Sequence, residues 1–387
     1  MNQPLSSYGQ DGVNVSLGDQ FSSFAGQLCR QTYGNNPNIK VHDFSQGHFR
    51  GPKGFEPIGM PSGTILDLSP DGIGTKSVIT DAAFFHRFSS RDWVAMCAGD
   101  ITRWGGKAAL LINDLSVSSL GDDKHSNAYL AACDLMIGLR ETADECGYVM
   151  YKGETAELSS CVASENPNAR LKYNWSGAAL GFLNRKNLIT GQHIKAGQSV
   201  MALRELGFRS NGGSSVRKAF ARKFGPEWHK HPEAQKYIRL AAEPSVLYDE
   251  FLAHANGWSS PDLIPIIKMS LVVHLTGGSF EGKFFEDILQ RHGFSAELYS
   301  LWSPPEIMGL CSLWRGLTAK ESYQTFNGGQ GVLVVIDDCD ADEFIGLAQS
   351  FGIEAQKCGE ITAVTDRPRL VIHSKFDGTD DHQVVFE

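Results

Sequence analysis

The stretch Asp71-Gly72-Ile73-Gly74-Thr75-Lys76 follows a short apolar run at residues 65–68. The run reads as a strand. The chain then leaves its sheet through a corner that holds a carboxylate, two glycines, a hydroxyl and a lysine. Such a mix suits a triphosphate. Glycines let the backbone approach phosphate oxygens, free N–H groups donate to them, Lys76 adds positive charge, and Asp71 can hold Mg²⁺. The spacing fits neither a Walker A loop nor the dinucleotide fingerprint. Taken alone, a tight turn closed by a surface lysine is the simpler account.

Strands alternate with helical patterns through the rest of the chain. Helices are expected at 91–104, 127–146, 214–224, 244–255, 284–292, 306–314 and 341–351, with an amphipathic patch at 20–31. Strands are expected at 108–117, 148–151, 175–183, 199–203, 271–275, 331–336, 353–361 and 370–373. Turn formers dominate residues 35–61, which read as a long loop or lid. With 387 residues the chain has room for two domains, divided near 183/184. Each half mixes strands and helices with glycine-rich corners, so the class is α/β (α+β).

The net charge of −9 argues against nucleic-acid partners and anionic membrane surfaces, both of which want a basic surface. No run is long enough to span a membrane, and the polar N-terminus lacks the apolar core of a signal peptide. Eight scattered cysteines without a CxxC pair read as buried free thiols in a reducing compartment. The expected location is cytoplasmic.

Other corners carry similar chemistry. Asp100 lies near the end of its helix, on a stripe with Asp92 and Met96. With Asp71 it makes two carboxylates from separate elements, which is what a Mg²⁺-nucleotide needs. A lone Asp on a helix face is more often a solvated charge. Gly153-Glu154-Thr155 follows a strand, where ligands commonly bind. Glu154 reads equally well as a metal or nucleotide contact and as an acid favoured by a helix start. Arg209-Ser210-Asn211-Gly212 opens a helix as an anion site or as an ordinary cap. Thr276-Gly277-Gly278 ends a strand with the same logic. Thr325-Phe326-Asn327 either reads a polar substrate or satisfies its own turn. Together these corners point to an enzyme that handles phosphate. His274 reads as a satisfied core histidine.

Taken in order, the pieces resemble the aminoimidazole ribonucleotide synthetase (phosphoribosylformylglycinamidine cyclo-ligase) family over nearly the whole chain. YGQDGVNVSLG from Tyr8 looks like its N-terminal segment, and DGIGTK from Asp71 matches its DG[VI]GTK loop. DWVAMCAGD from Asp92 resembles DLVAMxxND, and GETAE from Gly153 matches GGETAE without its first glycine. SNGGSSVRK from Ser210, LTGG from Leu275 and TFNGGQG from Thr325 resemble HSNGxSLVRK, LTGGG and TFNxGxG. Four positions depart from the pattern: Gly99 replaces Asn, Lys152 replaces Gly, Arg209 replaces His and Ser279 replaces Gly.

The resemblance implies a two-domain fold. The N-terminal sheet (1–183) would form a β-barrel across a homodimer, and residues 184–387 an α/β sandwich domain. It implies ATP and Mg²⁺ as cofactors and a phosphorylated small-molecule substrate. Asp71, Lys76 and Asp100 would be catalytic, and Asp71, Asp100 and Glu154 would hold the metal. Gly72, Gly74, Thr75, Lys76, Gly153, Glu154 and Thr155 would bind nucleotide. Arg209, Ser210, Asn211, Gly212, Thr276, Gly277, Gly278, Thr325 and Asn327 would bind substrate. The implied reaction is closure of the imidazole ring of formylglycinamidine ribonucleotide. The alternatives are ATP-driven activation of another amide, carboxylate or phosphate acceptor, and a catalytically silent nucleotide-binding dimer.

Overall fold

The computed structural model describes residues 14–364, 366–376 and 383–387. The N-terminal motif at Tyr8 therefore lies mostly outside the described residues. Two larger sheets organise the chain. The first has four strands in the order β3-β6-β4-β5: β3 (Thr64–Gly72), β4 (Lys107–Val117), β5 (Val149–Glu157) and β6 (Tyr173–Asn184). Helices α1 (Val15–Gln31), α3 (Ser89–Thr102) and α4 (Asn127–Cys146) pack on it through Phe21, Trp93, Cys97, Leu135 and Leu139. Asn14 caps α1 by accepting a hydrogen bond from the Leu17 N–H, and α4 stops at Gly147, whose positive φ suits the exit turn.

The second sheet has seven strands. Its centre is β7 (Ser199–Arg204), β8 (Met269–His274), β10 (Gln330–Ile336) and β11 (Ala355–Ala363), extended by β9 (Phe294–Leu298), β12 (Leu370–His373) and β13 (Gln383–Phe386). Strand alternation sends Val200 and Ala202 into one apolar layer and Met201 and Leu203 into the other. The first layer is filled by the π-helix α8 (Phe280–Gln290) through Phe280, Phe284 and Phe285. The second is filled by α7 (Asp249–Ala255) and α11 (Ala341–Ser350) through Phe251 and Phe344. Both faces of the sheet are therefore covered, which explains the unbroken apolar runs of β8 and β10.

Several expectations need correction. Residues 35–61 are no open loop: β1 (Ile39–Asp43) and β2 (Lys53–Pro57) pair antiparallel as a hairpin. Ile39, Val41 and Phe55 hold the hairpin against Leu110, Tyr151 and Phe182 of the first sheet. The helix expected from 244 begins only at Asp249. Glu243 and Ser245 are instead engaged with the first half of the chain, as described below. Of the eight cysteines, all free, Cys161 and Cys339 are exposed rather than buried. Among the described residues no helix is long and apolar enough to cross a membrane.

One helix crosses between the halves. α2 (Lys76–Ala83) directly follows the Asp71 corner, yet its Ile79, Ala82 and Ala83 pack with Phe208, Val216, Phe220 and Phe326 of the second half. In return Trp258 and Leu263 pack on Leu110 and Phe182 of the first sheet.

Candidate active site

β3 delivers Asp71 to the end of the first sheet. Its carboxylate accepts the Gly72 N–H at 2.7 Å, and the Cys97 thiol of α3 lies 3.6 Å from its carbonyl oxygen. One turn further along α3, Asp100 remains 43% exposed, 3.5 Å from the Arg103 guanidinium. Burial pushes the Asp71 carboxyl above its ordinary range, and the like charge of Asp100 pushes it further. The Gly72 N–H and the charge of Lys283 act in the opposite direction. Two carboxylates that repel one another beside an open corner fit Mg²⁺, which takes one or two carboxylates and completes its shell with phosphate oxygens and water. Among the described residues no three His, Cys, Asp or Glu side chains converge as a metal cage.

Loops of the second half close on this corner. Ser210 donates to the Asp92 carbonyl at 3.2 Å, and the Asn211 amide lies 3.7 Å from Met96 Sδ. Built Cβ positions at Gly74, Gly213 and Gly277 would meet Ser210 O at 3.8 Å, Thr75 Oγ1 at 2.7 Å and Asn211 Oδ1 at 3.7 Å. The Phe326 carbonyl accepts the Ser279 hydroxyl at 2.7 Å. The corners at Asp71, Ser210, Thr276 and Thr325 are thus neighbours. Gly74, Thr75, Gly277 and Gly278 are exposed, and Gly72 and Thr276 half-buried.

Four residues that the resemblance implies as ligand contacts are engaged within the protein. Lys76 is 2% exposed; its ammonium lies 2.6 Å from Asp92 Oδ1 and 2.6 Å from the Glu243 carbonyl. Asp92 also accepts the N–H and hydroxyl of Ser245 at 3.0 and 2.6 Å. The first turn of α2 points the lysine inward, so its charge is neutralised inside the protein rather than offered to phosphate. Arg209 is buried too. It pairs with Glu205 at 3.1 Å and donates to the Val246 and Ala95 carbonyls at 3.2 Å. Asn327 accepts the Gly329 N–H of its own turn and donates to the distant Gly207 carbonyl. The Thr325 hydroxyl donates to Glu321 O at 2.7 Å, within its own helix.

Glu154 lies apart. Strand register places Asp71 opposite Gly177, Gly177 opposite Asn113, and Asn113 opposite Gly153. Three strand spacings separate the two corners, roughly 14 Å. A single Mg²⁺ with bonds near 2 Å cannot take Asp71, Asp100 and Glu154 of one chain. Gly153, Glu154 and Thr155 instead line a cavity of about 460 Å³ between α1 and β5, with Lys53, Asn113 and Lys152.

His274 was undervalued by sequence. It ends β8 with its ring against α3: a Cβ on Gly99 would lie 2.8 Å from its Cε1. Burial, then the charges of Arg209 and Arg103, hold its pKa well below the usual imidazole range. Arg209 Nη2 lies 3.5 Å from Nδ1. A guanidinium only donates, so Nδ1 accepts and the ring proton sits on Nε2, which is buried without a partner among the described residues. Two of the four departures, Gly99 and Arg209, therefore meet at one imidazole.

No family model matches the chain. Curated proteins named phosphoribosylformylglycinamidine cyclo-ligase are similar to it. That of Alkaliphilus oremlandii is 27% identical over 361 residues, covering 92% of this chain and 96% of its own. That of Alkaliphilus metalliredigens is 26% identical over 366 residues, covering 93% and 96%. Among solved structures, the hydrogenase maturation protein HypE of E. coli has a TM-score of 0.58 at 14% identity, covering 96% of both chains. HypE in complex with ATP gives 0.55 at 12%, covering 80% of this chain and 82% of that one. Thiamine-monophosphate kinase from Stenotrophomonas maltophilia gives 0.53 at 12%, covering 89% and 94%. The chain shares their fold.

Proposed function

We propose that this chain, similar over most of its length to the cyclo-ligases, is an ATP-dependent enzyme that closes the imidazole ring of formylglycinamidine ribonucleotide. The observation that carries the reading is the meeting of the Asp71–Asp100 pair with the Ser210 and Thr276 corners, contributed by opposite halves of the chain. In the proposed reaction the terminal phosphoryl group of ATP passes to the formamide oxygen of the substrate. The amidine nitrogen then attacks the same carbon, phosphate leaves with that oxygen, and the ring closes. Both reacting groups belong to one held molecule, so positioning supplies much of the rate.

Asp71 and Asp100 would hold Mg²⁺, which when bound neutralises charge on the phosphoryl oxygens. Free N–H groups at Gly72, Gly74 and Thr75 would donate to the phosphates. Ser210, Asn211, Gly212, Thr276, Gly277 and Gly278 would hold the ribonucleotide. Gly153, Glu154 and Thr155 are assigned to the nucleotide from their own cavity, outside the metal shell. The partner is a second copy of the chain. β3 exposes Leu66 and Leu68 by 54 and 56%, on the face they share with Leu180 and Phe182, and a twin sheet would cover them.

The test is a turnover assay with formylglycinamidine ribonucleotide and Mg-ATP, following aminoimidazole ribonucleotide and ADP together. Equal appearance of both is expected, and Asp100→Asn should abolish it while the circular dichroism spectrum stays unchanged. A fully active Asp100→Asn enzyme removes the metal role. A second reading, ATP-driven activation of a different acceptor, is favoured by the burial of Arg209 and the Gly99–His274 contact, which reshape the wall beside Asp100. ADP formed without ring closure, and only with another amide or carboxylate present, would select it.

A further inference from the structure

We propose that Lys283 holds the terminal phosphate of the nucleotide against the Asp71–Asp100 pair, the part that sequence assigns to Lys76. The inference rests on the nucleotide reading above and adds a residue that no motif singles out. Phosphoryl transfer is assisted by a cation besides the metal, because charge spreads over three phosphoryl oxygens as the bond breaks. Lys76 cannot meet that need while its ammonium is enclosed by Asp92 and the Glu243 carbonyl. Arg209 is equally spent on Glu205.

Lys283 sits on the first turn of α8, four residues beyond Ser279. The corner it leaves, Thr276-Gly277-Gly278, lies against Asn211, which in turn touches Met96 one helical turn before Asp100. Glu286 and Asp287 follow three and four residues on in the same helix. Even so, Lys283 makes no ion pair or hydrogen bond among the described residues. Its charge acts instead on Asp71, across the junction of the two halves. A half-exposed, uncommitted ammonium whose charge reaches Asp71 beside a glycine corner is arranged to share an anion with a divalent cation.

The corner is built firmly. Ser279 adopts φ 44° and ψ −131°, a conformation that favours glycine. It is tied by its hydroxyl to Phe326 O and by its N–H to Thr276 O at 2.7 Å. The turn that aims Lys283 is therefore fixed before any ligand arrives.

The experiment is calorimetric titration of the full chain with Mg-ATP and, separately, Mg-ADP. Wild type, Lys283→Met and Lys283→Arg are compared, each checked by thermal melting. Loss of a charge-assisted hydrogen bond should weaken Mg-ATP binding to Lys283→Met by about ten- to a hundredfold. Mg-ADP binding should change less than about threefold, and Lys283→Arg should recover most of the ATP affinity. Unchanged ATP affinity in Lys283→Met, or an equal loss for ATP and ADP, overturns the assignment while leaving the nucleotide reading intact. A wild-type protein that binds neither nucleotide overturns that reading, and this inference with it.

Discussion

At Gly99 the α3 backbone passes so close to the His274 ring that any side chain collides with Cε1, Nδ1 and Nε2, at 2.8 to 3.3 Å from Cβ. The imidazole is buried and tied at Nδ1 to Arg209, so it has little room to retreat. Gly99→Asn is expected to destabilise the protein by about 1–3 kcal/mol through overpacking, read as a lower urea midpoint. Adding His274→Ala should restore part of the loss, because the two sites share one volume. An unchanged midpoint in Gly99→Asn would show that the ring moves freely. Lys76 teaches the limit of reading residues one by one. Its motif was legible, but its direction was set by Asp92 and the Glu243 carbonyl, the latter 167 residues away in the chain. Lys283 had no motif at all; only the folded corner brings its charge to Asp71.

Between elements, the contact of α3 with α7 carries a titratable group. Asp249 is buried, accepts the Thr102 hydroxyl at 2.7 Å, and is pushed from 3.8 up to about 6 by burial, with Thr102 and Arg209 pulling it back. The folded chain therefore holds this proton more tightly than the unfolded chain. Its contribution to stability falls as pH rises from 3.8 to about 6 and stays lowered above that. Asp249→Asn removes the titration. The stability of the variant relative to wild type should rise by about 2–3 kcal/mol between pH 4 and pH 7, measured by urea unfolding at each pH. A difference that stays flat across this range would show that Asp249 titrates normally. Elements with strong periodicity, such as α4 and β10, were legible from sequence because both are defined by their own apolar pattern. The β1–β2 hairpin was not, since its few apolar side chains gain meaning only against Leu110 and Tyr151. The helix expected at 244 fails for the same reason: its first residues are held by the other half of the chain.

For the whole molecule, the exposed Leu66 and Leu68 lead to a prediction of assembly. Light scattering should report a dimer, and Leu66→Glu combined with Leu68→Glu should give a monomer without loss of helix signal, since both side chains are already exposed. A monomeric wild type would remove the pairing. The mixed α/β class was legible in the sequence, whereas the exchange of α2 for Trp258 and Leu263 was not. That exchange bears on how the chain comes to be folded. The sheet at β3 is completed once its partner β6 has emerged at Asn184, but α2 gains the last of its packing partners only with Phe326, about 140 residues later. Lys76 and Asp92 likewise wait for Glu243 and Ser245. The first half therefore leaves the ribosome with an apolar helix and a buried ion pair still unfinished. Its last steps of folding must be concerted with those of the second half, in one cooperative event rather than two.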